Sequence, residues 1–167
     1  MSNDRLCYDG RMTPAEQIRY LILAAQREGN QALAQGLEAL GLTPSQAEAL
    51  RILADHGPLP LLGVGRLLVC EPGSPSRLVK TLASRRLVSC RRDKTDRRSL
   101  IISLTAEGER LAAEVKRVES RLHAMIDHLM PAEKAAALIE LLRPLVGHGP
   151  HGAALQNRLT ASGGKGL

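Results

Sequence analysis

Apolar and polar positions alternate with a helical period almost from the start of the chain. After Thr13-Pro14-Ala15-Glu16, a capping box with proline at the first helical position, apolar or small residues fall at Ile18, Leu21 or Ile22, Ala25, Gly29, Leu33, Gly36, Leu37 and Leu40. This predicts one long helix, on the order of seven turns, whose interior glycines call for close packing. Thr43-Pro44-Ser45-Gln46 repeats the capping signature and predicts a second helix with Ala47, Leu50 and Leu53 on one face, stopped by His56-Gly57-Pro58. A shorter apolar helix is expected from Leu61 to Val69. Glu71-Pro72-Gly73-Ser74-Pro75 then makes a turn, and a fourth helix carries Leu78, Val79, Leu82 and Leu87.

The period then changes. Val88 to Arg92 and Ser99 to Leu104 are short β-prone stretches joined by a charged tip, which predicts a hairpin with a longer loop. Thr105 stands where an N-cap belongs, and beyond it Leu111, Val115, Val118, Leu122, Met125 and Leu129 alternate steps of four and three. A repeat of about 3.5 residues is the seam of a helix that packs along another helix. Pro131 ends that helix and opens a last one, expected to turn Leu138, Ile139, Leu142 and Leu145 inward. From Gly147 onward glycine, proline and histidine dominate and the period vanishes, so residues 147–167 read as a flexible tail. Residues 1–12 read as an irregular lead.

Composition narrows the picture. The hydrophobic fraction of 44% supplies a core, but it is aliphatic: Phe and Trp are absent, and Tyr8 and Tyr20 are the only aromatic residues. That argues against readers of single-stranded nucleic acid, which stack bases on aromatic platforms. The net charge of +6 points to an anionic partner. Its distribution is sharper than its size: Arg66 to Arg98 holds ten basic residues against three acids, a net +7, so the remainder is close to neutral. Cys7, Cys70 and Cys90 show no paired spacing, which suggests free thiols in a reducing compartment. No apolar segment approaches the roughly 20 residues of a membrane span, and the start of the chain lacks a signal-like apolar run. A soluble, cytoplasmic protein without a membrane partner is expected.

The order helix, helix, basic helix, hairpin is that of a winged helix-turn-helix. A helix that reads the major groove needs short hydroxyls and long cations on one face near its start. Ser74, Ser76, Arg77 and Lys80 meet that need, while Leu78 and Leu82 face the core. Solvated cations on an amphipathic surface helix are the competing explanation. At the hairpin tip, an arginine is thin enough to enter the minor groove, where the potential favours a guanidinium. Asp96, two residues before Arg98, is placed to hold it; a solvated turn or a weak surface ion pair competes.

The stretches LTPSQAEALRIL and SRLVKTLASRRLVSCRRDKTDRRSLIISLTAEGERL resemble the MarR family of winged helix-turn-helix transcriptional regulators. That family's wing signature, Asp-x-Arg followed by Leu-Thr-x-x-Gly, is met by Asp96-Arg97-Arg98 and Leu104-Thr105-Ala106-Glu107-Gly108. The resemblance covers about residues 42–112, and beyond it only the helix layout agrees. It implies a mainly α fold with a small antiparallel β-hairpin wing over residues 13–146. The DNA-binding lobe would lie at about 43–104, with dimerisation helices at about 13–40 and 105–146. It further implies a homodimer on a palindromic duplex operator, acting as a repressor released by a small anionic or phenolic effector. Ser74, Ser76, Arg77 and Lys80 fall at recognition-helix positions; Arg98 matches the minor-groove arginine and Asp96 its brace; Arg92, Lys94 and Arg97 would touch the DNA backbone. Two residues depart from the pattern. Pro75 replaces an apolar β-branched residue, and Gly65 replaces the usual alanine one helix earlier. A helix starting at Ser74, with Pro75 first, would reconcile the proline with the fold.

Where the first, second and fifth helices meet, Arg19, Tyr20, Arg27 and His56 are effector candidates by resemblance, though packing or exposure explains each equally well. Cys7, Cys70 or Cys90 could make the regulator redox-switched, with inert thiols as the alternative. His123 and His128 are five apart and do not share a helix face, and His148 and His151 lie in the tail, so no metal site is implied. No cofactor motif, nucleophile motif or paired carboxylate suggests an enzyme. An architectural protein that binds DNA without sequence preference, or a basic lobe that grips an acidic protein, are the rivals outside the class of regulators.

Overall fold

The computed structural model describes residues 12–70, 74–96, 98–147 and 149–163. Its elements run α1 (Pro14–Glu38), α2 (Pro44–His56), β1 (Leu59–Pro60), α3 (Leu61–Leu67), α4 (Pro75–Ser84), β2 (Val88–Arg92), β3 (Leu100–Leu104), α5 (Ala106–Leu129), α6 (Ala132–Val146) and α7 (Pro150–Gly163). Both capping boxes form. The Glu16 amide donates to Thr13 Oγ1 at 3.2 Å and the Thr13 amide to Glu16 Oε2 at 2.8 Å. Thr43 and Gln46 make the same reciprocal pair at the start of α2. Gly57 closes α2 with φ 75°, its amide donating to the Leu53 carbonyl at 3.0 Å.

The sheet has the order β1-β3-β2 and is antiparallel throughout. The expected hairpin is β2–β3, in register from Val88 opposite Leu104 to Arg92 opposite Leu100. The added strand β1 pairs Leu59 with Ile102 and Pro60 with Ile101. Two residues are too short to show alternation, and Pro60, which lacks a donor, suits the sheet edge. Under the sheet lies an aliphatic core in which Leu37, Leu50, Ile52, Val64, Leu82, Ile102 and Val115 are fully buried. It gathers the end of α1, all of the helix-turn-helix, the central strand and the first half of α5. Gly36 permits the α1–α5 crossing, because a Cβ there would lie 2.6 Å from Val118 Cγ1.

Two expectations fail. The stretch read as a flexible tail contains α7, whose Ala154 is buried and whose helix contacts α3. The glycine and proline at 147–150 mark a break between helices: Gly147 adopts φ 62° and Pro150 is the first residue of the new helix. Likewise α6 buries none of its residues, and Leu138, Ile139 and Leu145 are exposed. Periodicity identifies an apolar face but not whether the same chain covers it. The α5 seam divides the same way, with Leu111 and Val115 buried but Met125 and Leu129 exposed. A smaller difference is that α3 ends at Leu67 rather than at Val69.

The junction of wing and α5 gives the Leu-Thr-x-x-Gly motif its physical content. The Thr105 amide donates to the Leu87 carbonyl at 3.1 Å. The Thr105 hydroxyl donates to the Arg86 carbonyl at 2.7 Å and accepts from the Gly108 amide at 3.1 Å, capping α5. A Cβ on Gly108 would lie 2.0 Å from the Leu87 carbonyl oxygen, which is backbone and has no room to move. Gly108→Ala should therefore destabilise the fold by about 1–3 kcal/mol despite the higher helix propensity of alanine, as measured by chemical denaturation. Unchanged or increased stability would contradict the tight junction.

Candidate nucleic-acid interface

Helix α4 starts where the proline requires. Pro75 is its first residue, and the Ser74 carbonyl accepts from the amides of Arg77 at 2.9 Å and Leu78 at 3.2 Å. The Ser74 side chain makes no capping bond, so its hydroxyl stays exposed. Leu78, Val79 and Leu82 are buried, while Ser76, Arg77 and Lys80 are exposed on the other side. Thr81 and Ser84 extend that face. Their hydroxyls donate to the Arg77 and Thr81 carbonyls, at 3.1 and 2.8 Å, and keep lone pairs toward solvent.

The two departures from the family pattern touch each other. A Cβ on Gly65 would come within 2.9 Å of Pro75 Cγ, so the missing methyl in α3 makes room for the proline ring that opens α4. Neither residue is unusual once the other is present.

The wing tip is ordered by its acids. Asp93 Oδ1 accepts from both the amide and the hydroxyl of Thr95, each at 2.7 Å. These bonds hold the Asp93 carboxyl below the usual carboxylate range, the backbone bond contributing most. The Asp93 amide donates to the Ser99 carbonyl and the Ser99 amide to the Asp96 carbonyl, both at 2.9 Å, closing the turn. Asp96 Oδ1 accepts the backbone amide of Arg98 at 3.0 Å. The brace therefore fixes the main chain at Arg98, and the exposed side chain extends from that fixed point. Lys94 is exposed at the tip and Arg92 ends β2; Arg97 lies outside the described residues. Sequence reading assigns Asp93 and Thr95 no role, although Asp-x-Thr is a legible turn signal.

Not every cation in the basic segment is free to meet a ligand. Arg85 donates to the Gly41 carbonyl at 2.8 Å and to Gln46 Oε1 at 3.0 Å, tying the end of α4 to the cap of α2. Arg86 adopts φ 57° and ends the helix. Arg51 joins Asp55 and Glu119, each at 3.1 Å, and so links α2 to α5.

The one buried charged side chain among the described residues is Glu48 of α2. Its carboxylate accepts from the amides of Val69 at 2.9 Å and Cys70 at 2.8 Å, and from Arg158 of α7 at 2.7 Å. Sequence reading missed both residues: Glu48 is polar in pattern, and Arg158 fell in the assumed tail. Burial, then the nearby Glu48 charge and its hydrogen bond, push the Cys70 thiol up to about 11. At neutral pH this group is the unreactive thiol. Cys90 is exposed in β2, and Cys7 lies outside the described residues.

The effector candidates are not brought together. Arg19, Tyr20 and Arg27 are exposed on α1, with the Arg19 guanidinium 4.1 Å from the centre of the Tyr20 ring, and His56 is half-buried at the end of α2. A cleft of about 860 Å³ lies between α6 and α7, and another of about 450 Å³ lies among α2, β3 and α5 beside Arg51, Ser103 and Lys116. None of the four candidates lines either. Among the described residues no group of three or more His, Cys, Asp or Glu could hold a metal ion, and no helix is long and apolar enough to cross a membrane.

A helix-turn-helix carrying a hairpin with a braced arginine is a winged helix, and residues 42–108 match the family model described as a winged helix DNA-binding domain. Over 92 residues, 55% of this chain and 63% of the relative, the sequence is 30% identical to the organic hydroperoxide resistance transcriptional regulator of Bacillus subtilis. Less than two thirds of that relative's length is thus spanned. Among solved structures, BpsR of Bordetella bronchiseptica, whose DNA binding is regulated by 6-hydroxynicotinic acid, superposes with a TM-score of 0.72 at 22% identity. That match covers 84% of this chain and 100% of BpsR. A mutant of MarR from E. coli, complexed with operator DNA, gives a TM-score of 0.70 at 21% identity over 77% of this chain and 93% of MarR. Residues 42–108 are thus a winged helix DNA-binding domain, and the described chain shares the fold of these solved structures.

Two outcomes follow from this geometry. Gly65→Ala should cost about 1–3 kcal/mol of stability through the clash with Pro75, and much of that loss should vanish in a Pro75→Ala background. Additive effects in the double-mutant cycle would show that the two residues do not interact. Alkylation of Cys70 by iodoacetamide should accelerate only as pH rises toward about 11. Glu48→Gln, which removes a raising charge and its bond, should move that inflection down toward the ordinary thiol value.

Proposed function

We propose that this protein is a homodimeric, sequence-specific DNA-binding transcription regulator, acting in the cytoplasm as a repressor that a small anionic or phenolic molecule releases. The observation that carries the reading is the exposed face of Ser76, Arg77 and Lys80 on α4, in one lobe with a wing whose backbone is fixed at Arg98. Helix α4 would lie in the major groove and the Arg98 guanidinium would enter the minor groove. Ser74 would sit near the α4 terminus, where the helix dipole favours phosphate, while Arg92, Lys94 and Arg97 would contact the backbone. Asp96 would act indirectly, by holding the main chain from which Arg98 extends.

Dimerisation is supported by the apolar side chains left uncovered on one protomer: Ile18, Leu21 and Ile22 of α1, Met125 and Leu129 of α5, and Leu138 and Leu141 of α6. Exposed apolar side chains on three helices are what an association surface would cover. A two-fold dimer would present its recognition helices to successive major grooves about 34–36 Å apart, and hence to a palindrome. An effector near Arg19, Tyr20, Arg27 and His56 would bind where α1, α2 and α5 of the assembled dimer meet the DNA-binding lobe. A redox-switched version has its readiest support in the name of the Bacillus relative, but the raised Cys70 thiol opposes it at that residue. Loss of DNA binding on peroxide treatment that persists after replacing all three cysteines with serine would exclude it.

Sites selected from random duplexes test the proposal directly. Arg98→Ala should weaken binding to a selected site by about 1–3 kcal/mol. Arg110→Ala should have little effect, because Arg110 is already engaged with Glu107 at 2.7 Å. Affinity should fall with salt at a log–log slope of about −0.9 per phosphate neutralised. Equal effects of the two substitutions would refute the wing assignment, and recovery of no preferred sequence would favour an architectural role.

A further inference from the structure

The C-terminal helix converges on the segment that leads into the recognition helix. Arg158 of α7 pairs with Glu48 at 2.7 Å, and the same carboxylate holds the amides of Val69 and Cys70. Asn157 Nδ2 donates to the Arg66 carbonyl at 3.1 Å, and His151 Nδ1 lies 3.0 Å from the Val69 carbonyl, which an Nδ1-protonated ring satisfies as donor. Residues 151, 154, 157 and 158 share one face of α7, with Ala154 buried between the polar contacts. A carboxylate excluded from water is held in place only while its lone pairs are filled, and a charged partner satisfies it far better than a neutral one. Val69 and Cys70 precede the start of α4 at Pro75 by only a few residues.

We propose that Glu48 and Arg158 are positioning residues for DNA reading: a strut by which α7 sets the placement of the recognition helix, without touching DNA itself. The inference rests on the reading of α4 as the DNA-contacting helix. It makes α7 part of the reading apparatus, linked to α4 through α3, which packs against both helices. Removing Arg158 leaves the Glu48 charge short of its counter-ion, so the carboxylate shifts toward water and releases the amides at 69 and 70. The wing contacts to phosphate are unaffected by that movement. The signature is therefore a loss of discrimination rather than a uniform loss of binding.

The test uses the full-length chain, a selected duplex and a random duplex of equal length. Arg158→Ala should lower affinity for the selected duplex by about tenfold, equivalent to about 1.4 kcal/mol, with little change on random duplex. Arg158→Lys, which keeps the charge, should recover part of the loss. A protein merely less folded would lose both affinities together. In parallel, hydrogen exchange at the Val69 and Cys70 amides should quicken in Glu48→Gln, which cannot offer two anionic acceptors. An unchanged ratio of selected to random affinity in Arg158→Ala, or unchanged exchange at both amides in Glu48→Gln, overturns the strut. Should the wild-type chain prefer no duplex, the DNA reading of α4 fails, and the amide-exchange result still decides whether Glu48 fixes the segment.

Discussion

The Leu87 carbonyl is the point on which the DNA-binding lobe and the long helix depend together. It accepts the Thr105 amide, and it is the atom against which Gly108 packs. Residue 87 follows the end of α4, residue 105 follows β3, and residue 108 lies in the first turn of α5. One peptide group therefore fixes the exit of α4, the base of the wing and the departure direction of α5. The glycine is required because α5 approaches a backbone oxygen, and only a residue without a Cβ permits that approach. Threonine is suited because one hydroxyl can cap α5 and bond to the Arg86 carbonyl at once. With these three positions fixed, the orientation of α4 relative to α5 follows.

From that junction outward, the apolar surface separates into a covered half and an uncovered half. Leu111 and Val115 of α5 complete the lobe's core, together with Leu37 from the end of α1. Further along the same helices, Met125, Leu129, Ile18 and Leu21 are exposed, and α6 contributes an almost entirely uncovered apolar face. A single aliphatic seam thus has a covered and an uncovered half, and the change occurs at about Val118, whose side chain packs against Gly36. Dimerisation through this surface would leave the lobe core intact, since the two sets of side chains share the helices but not the contacts.

Much of this arrangement was legible in the chain. The two Thr-Pro-x-Glu/Gln caps, the change of period at Val88, the Asp-Arg wing and the Leu-Thr-x-x-Gly turn are local signals, and local hydrogen bonds enforce them. What the sequence concealed depended on contacts distant in the chain. Glu48 reads as an ordinary polar position on α2, and only the return of α7, 110 residues later, makes it a buried, fully bonded carboxylate. Pro75 and Gly65 read as separate oddities because their complementarity exists only across the α3–α4 contact. The inward face assigned to α6 shows the opposite error, in which a correct period implied a burial that a single protomer does not provide.

Charge shows the same division between local and distant. The basic segment holds ten cations, yet Arg85 is engaged with Gly41 and Gln46 and serves the joint between α2 and α4. The acids in the wing do not neutralise their neighbours so much as shape the backbone: Asp93 is used by Thr95, and Asp96 by the amide of Arg98. A carboxylate spent on main-chain amides still contributes its charge, but it holds the arginine's origin without binding its guanidinium. If the Arg98 guanidinium enters the minor groove as proposed, this is the more useful arrangement. An ion pair with the side chain would have to be broken before the guanidinium could move toward phosphate-lined DNA. A brace on the backbone stays in place while the side chain goes.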